Sequence, residues 1–293
     1  MFLFRPFFKA LVGLTILLQF SSVSLVAEAN SEPEWKPPRL LIMGSSMLIG
    51  KMNNCMAERL ESYGYDANIA GFCGLSTKGL ANGGRYPCPY AKFTGKPLVH
   101  EIGKSLRLNR KPKSGVAFNH KGVKLVTKSG KLLVNHLVKK LQPDHVVFYL
   151  GGNEAGYKTR RTLNTEAKRA EYRRKLHLYI HADTLLSKLK TDASCSWITG
   201  SWVSKVTSGY GKTNEEMVEV AKVLSEEAGG RCSMILGTEV MGKKEVRTSD
   251  GLHLDPEQSC LFGQRVADRL NEQLVLSRLS DRNIGKSPGN FFP

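Results

Sequence analysis

The feature that most constrains the fold of this chain is an alternation of short β-rich runs with longer helical patterns. Five segments have the continuous apolar or β-branched character of strands: 39–43, 66–70, 145–150, 196–202 and 233–236. Segments in which apolar residues recur at helical spacing accompany them, at 48–63, 132–141, 165–190, 214–228 and 256–276. Strands that alternate with helices in this way predict one α/β domain, in which a parallel sheet is covered by helices on both faces.

Two segments do not fit the alternation. Residues 81–130 are rich in glycine, lysine and arginine, and we interpret them as a basic insertion between the second and third strands. Such an insertion is either a solvated loop or a basic rim that attracts an anionic substrate. Residues 277–293 are mostly polar, so we expect a flexible tail after a domain that spans 30–276.

The first 29 residues have the layout of a secretory signal peptide. Arg5 and Lys9 precede an apolar stretch over 10–18, and Ala27-Glu28-Ala29 matches a small-residue cleavage pattern. The apolar core is shorter than a membrane span requires. We therefore expect cleavage after Ala29 and export to the periplasm or the extracellular space, with an uncleaved N-terminal anchor as the alternative. No later segment has the apolar length of a transmembrane span, so none is expected in the mature chain.

The charge balance indicates the kind of partner. The chain has 43 Lys and Arg against 26 Asp and Glu, a net charge of +17, while 41% hydrophobic residues are typical of a globular protein. A strongly basic surface favours nucleic acid, an acidic polysaccharide or a lipid surface. Export and the lack of a recognised nucleic-acid-binding module argue against nucleic acid, so we expect an anionic polymer as the partner.

The cysteines predict disulfide bonds. All six follow the proposed cleavage site, and an even number in an exported chain is typical of a disulfide framework. Cys195 and Cys232 each begin the pattern C-S-x-I-x-G. If their two strands are parallel neighbours in register, the two sulfurs lie level with each other, about one strand spacing apart.

Two further pairs follow from position in the chain. Cys73 and Cys88 could close the loop after the second strand, which leaves Cys55 of the first helix to pair with Cys260 of the last. No C-x-x-C pair occurs, and no histidine stands at metal-finger spacing from a cysteine. A structural zinc site is therefore not expected.

Four short motifs lie at predicted strand ends, where a parallel sheet carries its functional loops. The first is Gly44-Ser45-Ser46, directly after the first strand. A serine at a strand-to-helix turn can present its hydroxyl above the sheet edge, with its N–H where negative charge is favoured. Alternatively, Ser45 or Ser46 only caps the helix.

The second and third motifs could supply hydrogen-bond donors. Gly74 lies in a glycine-rich loop after the second strand, and its N–H could face the same cavity. Asn153 follows the third strand, and its side-chain amide could donate to an oxyanion. Each of the two residues is also typical of a simple tight turn.

The fourth motif is Asp250-Gly251-Leu252-His253. With the two side chains on one side of a turn, the Asp250 carboxylate can hold Nδ1–H of His253, which leaves Nε2 free to take a serine proton. Among the other histidines, His177 and His181 have the spacing of metal ligands on a helix, but no further residue of suitable spacing completes a metal site.

Taken in order, the four motifs resemble the SGNH hydrolases, also called the GDSL esterase/lipase superfamily. The resemblance covers about 39–276 and implies a three-layer, flavodoxin-like parallel sheet of about five strands, with no metal or other cofactor. By this resemblance, Ser46 in G-S-S-x-x-x-G is the nucleophile and His253 is the general base and then acid. Asp250 orients His253 and stabilises its imidazolium.

The resemblance also implies an oxyanion hole, the set of donors that stabilises the tetrahedral intermediate. Its donors are the backbone N–H groups of Ser46 and Gly74 and the side chain of Asn153. Gly71 is the alternative to Gly74, which is preferred because it lies in a G-x-x-G-x-S pattern.

The chain departs from the family pattern at two positions. Ser45 stands where the family has the Asp of G-D-S, and Glu154 stands where it commonly has Asp after the Asn. Neither position belongs to the triad. The G-x-S-x-x-x-G spacing favours Ser46 over Ser45 as the nucleophile.

These observations together predict an exported serine esterase. The expected substrate is an acyl ester, O-acetyl above all, on carbohydrate or an anionic cell-envelope polymer, cleaved through an acyl-enzyme. A lysophospholipase, a thioesterase or an O-acyltransferase could use the same triad. A non-catalytic, basic polysaccharide-binding domain is the alternative outside the enzymes.

Overall fold

A twisted sheet with helices on both faces dominates the computed structural model. The model describes residues 36–48, 51–72, 74–82, 89–93, 96–97, 119–120, 123–124, 134–155, 163–189, 193–203, 212–228, 230–248 and 252–284. All elements below belong to the compact unit that begins at Pro38. The predicted signal peptide, 1–29, lies outside the described residues and stays a prediction.

The elements follow one another in the predicted alternation. The strands are β1 Arg39–Gly44, β2 Asp66–Phe72, β3 Pro89–Phe93, β4 Lys96–Pro97, β5 Asn119–His120, β6 Val123–Lys124, β7 His145–Tyr149, β8 Ser194–Ile198 and β9 Ser233–Ile235. The helices are α1 Lys51–Ser62, α2 Thr77–Asn82, α3 Val134–Leu141, α4 Glu166–Leu176, α5 Ala182–Ser187, α6 Asn214–Ala228, α7 Gly237–Val240 and α8 Pro256–Ile284. Two short 3₁₀ turns occupy Ser46–Leu48 and Lys243–Glu245.

The main sheet has the strand order β4-β3-β2-β1-β7-β8-β9. Five adjacent strands, β2-β1-β7-β8-β9, are all parallel, which confirms the predicted α/β sheet. β3 and β4 extend the sheet in antiparallel orientation. Both come from the predicted insertion 81–130, so the expectation of a loop there is wrong for these residues. They form because β2 offers an unpaired edge, a non-local cause that leaves no periodic pattern in the sequence.

The two faces of the sheet carry separate apolar cores. Along β1, Leu40 and Ile42 point to one face, and Leu41 and Met43 to the other, as the pleat requires. Helices α1 and α8 cover the first face, whereas α3, α4, α5 and α6 cover the second. This arrangement is the predicted three-layer architecture.

Helices α1 and α8 pack closely because of a glycine and a disulfide. A Cβ on Gly263 of α8 would lie 2.6 Å from the carbonyl oxygen of Met52 in α1, so only glycine permits this approach. Cys55 and Cys260 form a disulfide between the same helices, with their Cα atoms 5.2 Å apart. The helix that follows the first strand is thus fixed to the last helix of the sheet domain.

The second disulfide joins Cys195 to Cys232 and agrees with the register argument. β8 and β9 are parallel neighbours in which Ser196 pairs with Ser233, so the two preceding cysteines lie level. The proposed Cys73–Cys88 pair lies outside the described residues and stays a prediction.

The prediction of a single helix over 165–190 is wrong, because the chain turns between α4 and α5. The start of α5 is stabilised by groups from distant segments. Oε2 of Glu227, in α6, accepts the N–H of Ala182 at 2.9 Å, and Oγ1 of Thr77 accepts the N–H of His181 at 3.0 Å. These caps are tertiary contacts, so helical periodicity alone could not locate the break.

Two predicted boundaries are also wrong. β2 runs through Phe72, so Gly71 belongs to the strand and not to the loop after it. α8 continues to Ile284, so the first part of the expected tail 277–293 is helical. The sequence has no glycine or proline between 264 and 284, and nothing in it interrupts the helix earlier.

A buried histidine lies at the amino ends of the parallel strands, the edge opposite the predicted site. Nδ1 of His145 is 2.6 Å from Oγ of Ser194, and Nε2 is 2.8 Å from Oγ of Ser196. Ser196 in turn contacts Ser233 at 2.6 Å. Burial lowers the pKa of His145 to about 4. The imidazole is therefore neutral at neutral pH, donating from one nitrogen and accepting at the other.

His145 should make stability depend on pH. The unfolded chain takes up a proton on this histidine near pH 6.5, but the folded protein does so only near pH 4. Between these values the unfolded state binds more protons, so stability falls as pH falls. In His145→Gln, we expect the loss of unfolding free energy between pH 7 and 4.5 to be smaller by about 2 kcal/mol. Urea unfolding of both proteins at the two pH values measures the difference, and equal losses would contradict the assignment.

Candidate active site

The turn after β1 separates two adjacent serines. Ser45 is only 3% exposed, and its N–H donates to the carbonyl of Tyr149 in β7 at 3.2 Å. A Cβ on Gly44 would lie 2.8 Å from the same carbonyl, so glycine lets β1 end against β7. Ser46 begins the 3₁₀ turn and is partly exposed. Of the two hydroxyl groups, that of Ser46 is therefore the one accessible at the sheet edge.

The Ser46 hydroxyl meets an imidazole from the far end of the domain. Its Oγ lies 3.0 Å from Nε2 of His253, across 207 positions of sequence. The two residues that follow His253 are held in place by contacts of their own. Leu254 pairs with Thr248 in an isolated bridge, and Oδ1 of Asp255 accepts the N–H of Gln258 in the first turn of α8, at 2.9 Å.

The contact has the geometry of a nucleophile and its base. With the proton of the neutral imidazole on Nδ1, Nε2 of His253 accepts a hydrogen bond from the Ser46 hydroxyl. A distance of 3.0 Å is within reach for proton transfer. Asp250, expected to hold Nδ1–H, lies outside the described residues, and its role stays a prediction.

The two predicted donor loops are joined to each other. Gly74 has φ of +71°, a left-handed conformation that favours glycine. Nδ2 of Asn153 donates to the carbonyl of Leu75 at 2.7 Å, which ties the loop after β7 to the loop after β2. One amide hydrogen of Asn153 is used in this bond, and the second can face a ligand.

Two backbone donors at this edge have no acceptor among the described residues. Within the part of the chain that the structure describes, no acceptor is bonded to the N–H of Ser46 or of Gly74. Gly71, the alternative donor, lies inside β2, in register with Gly44. Its position in the strand favours Gly74 as the loop donor.

A buried carboxyl group and a buried amine hold the loop that carries Asn153 in place. Oε1 of Glu154 accepts the N–H of Thr77 at 2.6 Å, and the side chain is almost fully buried. Burial raises the pKa of Glu154, while the hydrogen bonds from Thr77 and the charge of Lys212 act in the opposite direction. Nζ of Lys212, also buried, donates to the carbonyl of Gly152.

Sequence reasoning missed these supports. Glu154 was visible only as a departure from a motif, and Lys212 lies in a basic sequence where nothing distinguishes a buried lysine from exposed ones. Of the His177–His181 pair, His177 contacts Glu226 and Glu227. No cluster of three or more metal-ligating side chains occurs in the described ranges.

None of the described helices combines the length and the apolar character that a membrane span needs. The predicted signal peptide lies outside the described residues.

We expect Glu154 to stabilise the fold as a hydrogen-bond acceptor more than through its charge. Glu154→Ala leaves the buried N–H of Thr77 without its partner, at a cost of about 1–3 kcal/mol in unfolding free energy. Glu154→Gln keeps a carbonyl acceptor and should lose less, because burial already disfavours the ionised carboxylate. Chemical denaturation of the two variants at pH 7 makes the comparison. Equal unfolding free energies for Glu154→Ala and Glu154→Gln would show that the bond to Thr77 does not stabilise the fold.

Comparison with known proteins gives distant similarities. No protein-family model matches the chain. Protein BcsX of Komagataeibacter xylinus is 32% identical over 73 residues, a match that covers 25% of this chain and only 27% of BcsX.

Two solved structures illustrate the structural similarities. Est24, a carbohydrate acetylesterase from Sinorhizobium meliloti, aligns with a TM-score of 0.46 at 13% identity, over 80% of this chain and 99% of its own. A peptidoglycan O-acetylesterase aligns with a TM-score of 0.44 at 13% identity, over 88% and 95% of the two chains.

Proposed function

We propose that this chain is a serine hydrolase of the SGNH type that cleaves acyl esters. The observation that supports it most strongly is the 3.0 Å distance between Oγ of Ser46 and Nε2 of His253. A hydroxyl that donates to an imidazole at a sheet edge is the arrangement that activates a serine nucleophile. The order of the four sequence motifs supports the same proposal.

The reaction proceeds through a covalent intermediate. His253 takes the proton of Ser46 as Oγ attacks the acyl carbonyl, and Asp250 stabilises the imidazolium that forms. His253 then gives this proton to the departing alcohol, which leaves the acyl group on Ser46. A water molecule attacks the acyl-enzyme while His253 takes its proton, and His253 then returns this proton to Oγ of Ser46 as the acid leaves.

The negative charge on the carbonyl oxygen is stabilised by three donors. These are the N–H of Ser46, the N–H of Gly74 and the side-chain amide of Asn153. The two backbone N–H groups have no acceptor among the described residues, and the amide is held in place by its bond to Leu75. Donors that are fixed before the reaction stabilise developing charge without reorganisation.

The substrate in this proposal is an O-acetyl ester on carbohydrate or an anionic cell-envelope polymer. The net charge of +17 favours a polyanionic partner by electrostatic attraction. The predicted signal peptide and the two disulfides among the described residues support export to an oxidising compartment, the periplasm or the cell exterior.

Replacing Ser46 tests the nucleophile. We expect Ser46→Ala to lower kcat/KM for a chromogenic acetyl ester by about 10³-fold or more, because the variant lacks the hydroxyl that forms the acyl-enzyme. Ser45→Ala is the matched control, since it removes the adjacent hydroxyl and leaves the nucleophile. It should stay within about tenfold of the wild type. An unchanged rate in Ser46→Ala would remove this residue from the role.

Acetate release from a panel of O-acetylated polymers tests the substrate. We expect faster release from anionic polymers than from neutral ones, and a smaller difference at high salt, because salt screens charge attraction. The Ser46→Ala protein gives the background. Turnover confined to long-chain esters would contradict the carbohydrate substrate and favour a lipid or thioester.

A further inference from the structure

A small, mostly apolar pocket opens at the carboxyl edge of the sheet, next to the proposed nucleophile. Its lining includes Met47 and Leu252, the chain neighbours of Ser46 and His253. Gly152, which precedes the proposed oxyanion donor, also lines it. The pocket is therefore bordered by residues adjacent to each of the three catalytic segments. Because Ser45 and Met47 both line the pocket, it lies beside Ser46, the residue between them.

The far side of the pocket is closed by buried apolar groups. Leu150 and Met217 line it and are 1% and 4% exposed. Met217, in α6, lies directly against the backbone of Gly200 after β8, where any side chain would overlap its terminal methyl. The absence of a side chain at Gly200 is what allows Met217 to reach the pocket.

The pocket is small. It has room for about one water-sized group, which is the size of the methyl of an acetyl ester. A longer acyl chain would have to displace Met217 or Leu150 from close packing, which is unfavourable in a dense core. Leu150 directly follows β7 in the segment that leads to Asn153, whereas Met217 lies in α6. Truncation of Met217 should therefore enlarge the pocket without disturbing the proposed donor loop.

We propose that this pocket binds the acyl group and that Met217 restricts it to acetyl-sized groups. The inference rests on the proposed hydrolase function and assigns Met217 as a specificity-determining residue. The pocket bears on the choice of acyl group, whereas the net charge of the chain bears on the choice of polymer.

The test is a chain-length series of p-nitrophenyl acetate, butyrate and octanoate. In the wild type, we expect kcat/KM for acetate to exceed that for butyrate by at least about tenfold. We expect kcat/KM for octanoate to be lower than that for butyrate. In Met217→Ala, the butyrate-to-acetate ratio should rise by at least about tenfold, because the removed side chain leaves space for two more carbons. Met56→Ala is the matched control, since Met56 is a fully buried methionine of α1 on the opposite face of the sheet.

Three results would decide against the pocket or the hydrolase. A Met217→Ala ratio no different from that of Met56→Ala overturns the role of Met217. A wild-type protein that cleaves octanoate as fast as acetate overturns the acetyl-sized pocket, and this measurement does not depend on how the variants fold. If the folded wild type cleaves none of the three esters, the proposed hydrolase function itself fails, and the pocket loses its role with it.

Discussion

The candidate site depends on the contact between Ser46 and His253, whose segments precede two helices that pack against each other. Ser46 begins the 3₁₀ turn that precedes α1, and His253 lies in the segment that leads into α8. These two helices lie on one face of the sheet, joined by the Cys55–Cys260 disulfide and by the close approach at Gly263. Anything that separated α1 from α8 would also separate the hydroxyl from the imidazole.

The order of the strands places the other groups around this contact. β1 lies between β2 and β7, so the serine at its end lies between the loop that carries Gly74 and the loop that carries Asn153. The Asn153–Leu75 bond then connects the two loops, and Glu154 reinforces the connection through Thr77. The edge of a parallel sheet thus gathers a hydroxyl, an imidazole and amide donors from segments far apart in sequence.

Much of this could be predicted from the sequence, because the responsible patterns are local. The buried strands are continuous apolar runs, as in 145–150, and α6 has the predicted bounds 214–228. Motif order was informative for the site because each motif follows a strand, and parallel strands end at one edge. The Cys195–Cys232 pairing was predictable for the same reason, since it depends only on register.

What could not be predicted depends on contacts between distant segments. The turn between α4 and α5 is set by Glu227 and Thr77, and the antiparallel strands β3 and β4 by the open edge of β2. Buried polar groups such as His145 and Lys212 leave no pattern, because the same residue types are more often exposed. The contact between Met217 and Gly200 likewise forms only when distant segments pack together.

The most direct test of the central claim is the reaction of the folded protein with a fluorophosphonate, followed by peptide mass spectrometry. Such a reagent labels a serine only when a neighbouring base activates it. We predict one adduct, on the peptide containing Ser45 and Ser46 and assigned to Ser46 by fragmentation, with labelling lost in a folded His253→Ala protein. A folded wild-type protein that takes no label, or one whose adduct is unaffected by His253→Ala, would contradict the account.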